Sequence, residues 1–358
     1  MKPQVNRIDR PFLIALLLLV FFGVAMVFDA SAADGARSFN DKFFYVKRQV
    51  LWISIGMVVM FVFSRIKYSF WEKTAVPFLL LALVLLVLVL IPGLGIEALG
   101  ARRRMSLGSI GIQPSELAKL AMSIFLSASL SRSTTVIRFL VPLVLVCSLV
   151  VVEPDLGTTT IIAGMGFLVY FTSGAPIFHF VSLGGGAGLL ALILAFTSSY
   201  RRERIMTFLN PHVDPVNTSY HIRQVLIALG SGGIFGLGLG QSRQKQLFLP
   251  EPATDSIFAI IAEELGFLGS VLVLVLFMFL IWRGFAIAAR AQDQFGRLLA
   301  VAITSWIAIQ TIINLSAMVA LVPLTGIPLP FVSYGGSSLI VLLGAVGILL
   351  NISKYCRK

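Results

Sequence analysis

The chain has 358 residues, 58% of them hydrophobic and 12% charged, with a formal net charge of +12. A soluble domain carries roughly 45–50% apolar residues, so this composition excludes an ordinary soluble enzyme and indicates an integral membrane protein. Apolar segments of about 20 residues recur, each long enough to cross a hydrocarbon core of about 30 Å, which favours α-helical spans over the ~10-residue alternating strands of an outer-membrane barrel.

In chain order, spans are predicted over residues 11–28, 49–64, 75–92, 116–131, 138–153, 156–173, 176–198, 266–285, 298–320 and 331–352. A cleavable signal peptide is the weaker reading of the first, because many equivalent spans follow. The fourth to sixth are short or interrupted, by Lys119, Pro142 and the Glu153-Pro154-Asp155 break, as helices lining a cavity would be. Cys147 in an apolar run and Cys356 in the basic tail form no disulfide framework.

With ten spans both termini share one side. Over short loops that side carries fourteen Lys and Arg against seven opposite, so the termini are expected in the cytoplasm. The expected fold is thus an all-α multi-pass protein of the cytoplasmic membrane, one polytopic domain over 1–358. A large extracytoplasmic loop, 199–265, lies between the seventh and eighth spans. A structureless loop of this length would be unusual, so it is expected to fold and to function. The basic balance is assigned to membrane and anionic head groups, and no nucleic-acid partner is expected.

Charged motifs concentrate on the outer side. In ALGARRRMSLGSIGIQPSELAKL (98–120), Arg102, Arg103 and Arg104 run against the positive-inside pattern, which points to an anionic partner such as phosphate. Pro114 marks a helix start, and Glu116 and Lys119 share one face at i,i+3 as either a functional pair or a buried structural one. In VEPDLGTTT (152–160), Asp155 reads as a helix cap or, with Glu153, as a metal-binding pair. SYRRERI (199–205) adds Arg201, Arg202 and Arg204, which either snorkel or complete a pyrophosphate cradle.

GSGGIFGLGLG (230–240) lies outside any strand-turn-helix context and reads as a glycine-rich turn between two helical stretches, not as a dinucleotide fingerprint. In LPEPATDSIFAIIAEELG (249–266), Thr254 is expected to cap a helix, with Asp255 in its first turn and Glu263 and Glu264 two turns on. Asp255 is either a solvated cap acid or a general base whose apolar neighbours raise its pKa. PLTGIPLPFVSYGGSSL (323–339), which includes Ser333, breaks the helix pattern and exposes backbone groups, tolerated only against a cavity or water. Gln310 and Asn314 add polar groups within the ninth span.

Between about residues 98 and 340, the blocks GARR, QPSELAKL, PDLGT, YRRERI, IALGSGGIFGLGLG, QKQLFLPEPATD, IFAIIAEELG and PLTGIPLPFVSYGGSSL, in that order, resemble the SEDS family of shape, elongation, division and sporulation proteins. The resemblance implies a peptidoglycan glycosyltransferase that polymerises lipid II, an undecaprenyl-diphosphate-linked donor, outside the cytoplasmic membrane. It implies a class B penicillin-binding protein as transpeptidase partner. Carried over by position, the catalytic aspartate is Asp255, the arginine of the GARRW motif is Arg103, and the acid and base of QPSELAK are Glu116 and Lys119. The family's tryptophan is Arg104 here and its histidine before Thr-Asp is Ala253. The compact termini favour the elongation branch, with the division branch as the alternative.

On this scheme Arg102, Arg103, Arg202 and Arg204 hold the pyrophosphate, and Glu116, Lys119, Asp155 and Ser333 complete the substrate-binding set. Asp255 takes the proton from the acceptor hydroxyl as it attacks the donor's anomeric carbon. No cofactor is required, and a divalent cation, Mg2+ or Mn2+, is the candidate addition. The rival readings are a lipid II flippase using the same arginines and a scaffold for the penicillin-binding protein.

Overall fold

The structure, a computed structural model, describes residues 8–98, 101–107, 110–197, 219–246 and 248–356, with 202, 206 and 208. Its helices are α1 (Arg10–Phe39), α2 (Phe44–Arg65), α3 (Ser69–Lys73), α4 (Ala75–Leu90), α5 (Pro114–Leu130), α6 (Val136–Val152), α7 (Leu156–Thr172), α8 (Ile177–Thr197), α9 (Tyr220–Ser231), α10 (Ile257–Ala289), α11 (Gln294–Met318) and α12 (Gly336–Ser353). Five of them, α1, α2, α10, α11 and α12, are long and apolar enough to cross a membrane. Helices α4 to α7 have 16 or 17 residues, about 25 Å at 1.5 Å per residue, and are therefore short for a hydrocarbon core of about 30 Å.

Every predicted span has a helix at its centre. Two boundaries bear on the site. The last helix starts at Gly336, because residues 331–335 turn beneath it, with Phe331 at φ 64°. The helix after Asp255 starts at Ile257, with Ser256 as its N-cap. Asp255 therefore precedes the helix instead of sitting in its first turn, and Thr254 is not the cap.

Helix α11 is the central post, with Leu298, Ala302, Ile303 and Trp306 fully buried. Helices α5, α7, α10 and α12 pack around it, and α2 lies along α12. Small residues bring the backbones close: a Cβ at Gly347 would fall 2.4 Å from the Met60 carbonyl oxygen. The outward faces stay apolar, with Phe21, Val58, Ile137 and Leu272 all exposed, as lipid contact requires.

The arginine-rich segment before α5 is not loop. It forms an antiparallel sheet of β1 (Gly95–Ala98), β2 (Ala101–Leu107) and β3 (Ile110–Ile112), in the order β1-β2-β3, with Arg102 opposite Glu97.

At the end holding the termini, Arg283 donates to Asp9, Tyr68 to Asp293, and Arg132 to Glu72. At the other end, α10 contains a break: Gly266 has φ 68° and ψ −165°. The glycine-rich segment folds against this break. Leu237 and Gly238 donate to the carbonyls of Glu263 and Glu264, and Phe267 and Leu268 donate to those of Gly233 and Ile234. A helix break would leave backbone groups unpaired, and the second segment supplies their partners.

Candidate active site

Two chain segments meet around Asp255, the turn before α10 and the 323–335 segment before α12, and the start of α7 touches the second, where a Cβ on Gly157 would lie 2.7 Å from the Ile327 side chain. Asn314 on α11 joins the first two, its Nδ2 donating at 2.8 Å to the carbonyls of both Asp255 and Ile327. Ser333 Oγ donates to the Thr254 carbonyl and accepts from Leu329 N at 2.8 Å. Tyr334 N donates to the Ala253 carbonyl at 2.8 Å. Ser333 is buried, so its observed part is to lock these two segments together.

The Asp255 side chain is 9% exposed. Thr254 Oγ1 donates to one of its oxygens at 3.3 Å, and the other lies where a Cβ on Gly326 would be 3.9 Å away. Gly326 has φ 70°, so its lack of a side chain both permits the turn and leaves room beside the carboxylate. One turn down α11, Gln310 continues the network: its Nε2 donates to the Pro328 carbonyl at 3.0 Å, while its Oε1 accepts from Trp306 at 2.8 Å and from Lys119 at 3.3 Å.

Lys119 and Glu116 form the expected pair, at 2.8 Å, with side chains 1% and 6% exposed. The Lys119 ammonium also lies 4.9 Å from the centre of the Trp306 ring. A buried ion pair recovers its desolvation cost only when further partners satisfy it, and Gln310 and Trp306 are those partners.

Asp155 caps α7, accepting from Thr158 N at 2.9 Å, from Thr158 Oγ1 at 2.8 Å and from Gln113 Nε2 at 3.3 Å. Of its readings as cap, metal ligand and substrate contact, the structure shows the cap. Arg103 reaches from β2 onto the same turn, where its Nε donates to the Glu153 carbonyl at 2.9 Å and its Nη2 to that of Pro154 at 2.6 Å. Much of the guanidinium fork is thus spent on backbone. Glu153 is wholly buried, and among the described residues neither carboxyl oxygen has a hydrogen-bond partner.

Arg104 and Arg202 are exposed. The side chain of Arg102, and the whole of Arg201 and Arg204, lie outside the described residues, as does most of 199–218. Among the described residues, no three or more His, Cys, Asp or Glu side chains group closely enough to hold a metal ion, so no chemical step is routed through one.

Glu263 and Glu264, two turns beyond Asp255, are each 1% exposed. Glu264 accepts from Gly240 N, Ser242 N and Lys245 Nζ, and Glu263 from Ser242 Oγ, Arg243 N and Gln244 N, which fastens residues 240–245 to α10. Lys245 also binds Asp29 at the outer part of α1. Burial opposes the Lys245 charge, but the bonds to Asp29 and Glu264 outweigh it and hold the ammonium above its ordinary range. Ala253 stands where the family has a histidine. His221, from α9, lies 2.7 Å from Ser256 Oγ, next to Asp255, with no local sequence signal linking it to that turn.

The chain resembles known proteins along its whole length. It is 47% identical to Stage V sporulation protein E of Bacillus subtilis, covering 98% of each chain. It is 40% identical to a probable peptidoglycan glycosyltransferase FtsW of Geobacter metallireducens, covering 99% of this chain and 96% of that one. Among solved structures, it matches the Thermus thermophilus rod shape determining protein RodA with a TM-score of 0.72 at 27% identity, over 98% of both chains. It matches a chain from a structure of a peptidoglycan synthase complex, described as coordinating polymerization and crosslinking, with a TM-score of 0.80 at 27% identity, over 97% of both. The cell cycle protein model for FtsW, RodA and SpoVE matches residues 9–358, and the chain, a multi-pass membrane protein, belongs to that family, the SEDS proteins.

Proposed function

We propose that this chain is a peptidoglycan glycosyltransferase that polymerises lipid II, with Asp255 as its general base. Relatives bearing that activity in their names support the reaction class. The observation that carries the residue assignment is the hold on Asp255: Asn314 grips its backbone, Ser333 grips that of Thr254, and Gly326 leaves space beside the carboxylate. A base works best when its carrier is rigid and its carboxylate is open to one side. The oxygen of the acceptor 4-hydroxyl attacks the donor's anomeric carbon, Asp255 takes the proton, and the lipid diphosphate leaves. One displacement inverts that centre and needs one essential carboxylate.

We place both termini in the cytoplasm and Asp255 outside, with 199–265 as an outer loop of a single polytopic domain. The transpeptidase partner is a class B penicillin-binding protein, consistent with the structural likeness to a synthase-complex chain. The elongation branch is the expectation from sequence, but the relatives at 47% and 40% identity are named as a stage V sporulation protein and as FtsW, and we assign the chain to that side of the family.

The test is polymerisation of purified lipid II by wild type and Asp255→Asn, each with a class B penicillin-binding protein lacking glycosyl transfer of its own. Polymer from wild type and none from a folded Asp255→Asn is expected. Polymer from both removes Asp255 as the base, and polymer from neither moves the weight to lipid II transport.

A further inference from the structure

The turn that carries Asp255 is held residue by residue. The Ala253 carbonyl accepts from Tyr334 N, that of Thr254 from Ser333 Oγ, and that of Asp255 from Asn314 Nδ2. These three grips come from the helical bundle, through α11 and the segment before α12. The next residue, Ser256, is held from elsewhere: its Oγ lies 2.7 Å from Nε2 of His221, in the first turn of α9.

Ser256 is the N-cap of α10, a position that favours serine because its hydroxyl accepts from a free N–H of the first turn. Here the hydroxyl makes no such bond. The residue is wholly buried and its hydroxyl turns to the imidazole, so a local cap is exchanged for a tertiary contact. The bond forms in either ring state, since an unprotonated Nε2 accepts the hydroxyl proton and a protonated one donates. The rest of α9 keeps His221 in place. Ile222, Val225 and Ala228 are buried, and at the far end a Cβ on Gly232 would fall 2.0 Å from the Ala262 carbonyl oxygen. Helix α9 therefore meets α10 at both of its own ends, and one of these meetings is beside Asp255.

We propose that His221 is a positioning residue for Asp255: through Ser256 it ties the 199–265 segment to the turn and sets the backbone from which the carboxylate projects. The inference rests on the reading of Asp255 as general base. Asn314 holds the peptide that follows Asp255, and His221 holds the residue into which that peptide leads. A carboxylate acts as base only within about 2.6–3.2 Å of the hydroxyl that it deprotonates, so a small rotation at residues 255–256 lowers turnover. His221 acts through Ser256 and not on lipid II, so the affinity for lipid II should change little.

The test is polymerisation by the full chain over a range of lipid II concentrations, with a class B penicillin-binding protein lacking glycosyl transfer of its own. His221→Phe, which keeps a ring and loses both nitrogens, and Ser256→Ala should each lower kcat about tenfold, with KM within about threefold of wild type. The double variant should fall no further than about twofold below the weaker single, because both changes remove one bond. His221→Gln, which offers an amide at similar reach, should return kcat to within about threefold of wild type. Melting in detergent reports folding separately. A kcat of Ser256→Ala equal to that of wild type overturns the inference, even where His221→Phe does not fold. So do losses that multiply in the double variant, a change in KM alone, or a lowered melting temperature with kcat kept. Wild type making no polymer, or Asp255→Asn making as much as wild type, refutes the reading of Asp255, and this inference falls with it. With both controls as expected, the outcome bears on His221 alone.

Discussion

Gln310 and Asn314 sit one turn apart on α11 and grip the same segment, Gln310 through the Pro328 carbonyl at 3.0 Å and Asn314 through that of Ile327 at 2.8 Å. Asn314 adds the Asp255 carbonyl, and Gln310 adds Lys119. The buried ion pair and the proposed base therefore hang from one helix face.

Replacing Asn314 by Ala leaves two buried carbonyls without this donor, each costing about 1–3 kcal/mol. The Asp255 turn then loses its orientation more than the donor site loses affinity. The expectation is a fall in kcat for lipid II polymerisation of about tenfold or more, with KM moving less than threefold. A variant changed in KM alone would refute the positioning role.

Lys119→Met strands the Glu116 carboxylate in the core, and breaking a buried pair costs about 3–5 kcal/mol. Changing Glu116→Gln with Lys119→Met removes both charges and should recover part of that loss. Unfolding in detergent, followed for the single and the double variant, checks this. A double variant as unstable as the sum of the singles would show that the pair is uncoupled.

Length and hydropathy made the helices legible, and even the eighth span's start at residue 266 marks a real break, because a glycine there interrupts α10. Gln310 and Asn314 stood out as polar residues in an apolar run. The sheet over 95–112 was not legible: three consecutive arginines mask strand alternation, and its pairing joins residues across a turn. Nor was the burial of Glu263 and Glu264, whose partners Ser242 and Lys245 lie some twenty residues earlier in the chain. Local pattern reads such acids as a solvated helix face. The docking of Arg103 on two carbonyls, fifty residues away, leaves no trace in local spacing.

Gly236 and Gly266 interlock so tightly that a Cβ on Gly236 would lie 2.0 Å from the Glu264 carbonyl oxygen, and one on Gly266 2.3 Å from Gly236 N. Gly236→Ala should therefore cost about 3 kcal/mol or more, overlap added to a φ of 80°. Gly238→Ala shares the positive φ, but its nearest neighbour, a side-chain carbon of Gln241, is 3.7 Å away, so it should cost less. Thermal unfolding of the two variants side by side isolates the overlap, and equal losses would refute the interlock.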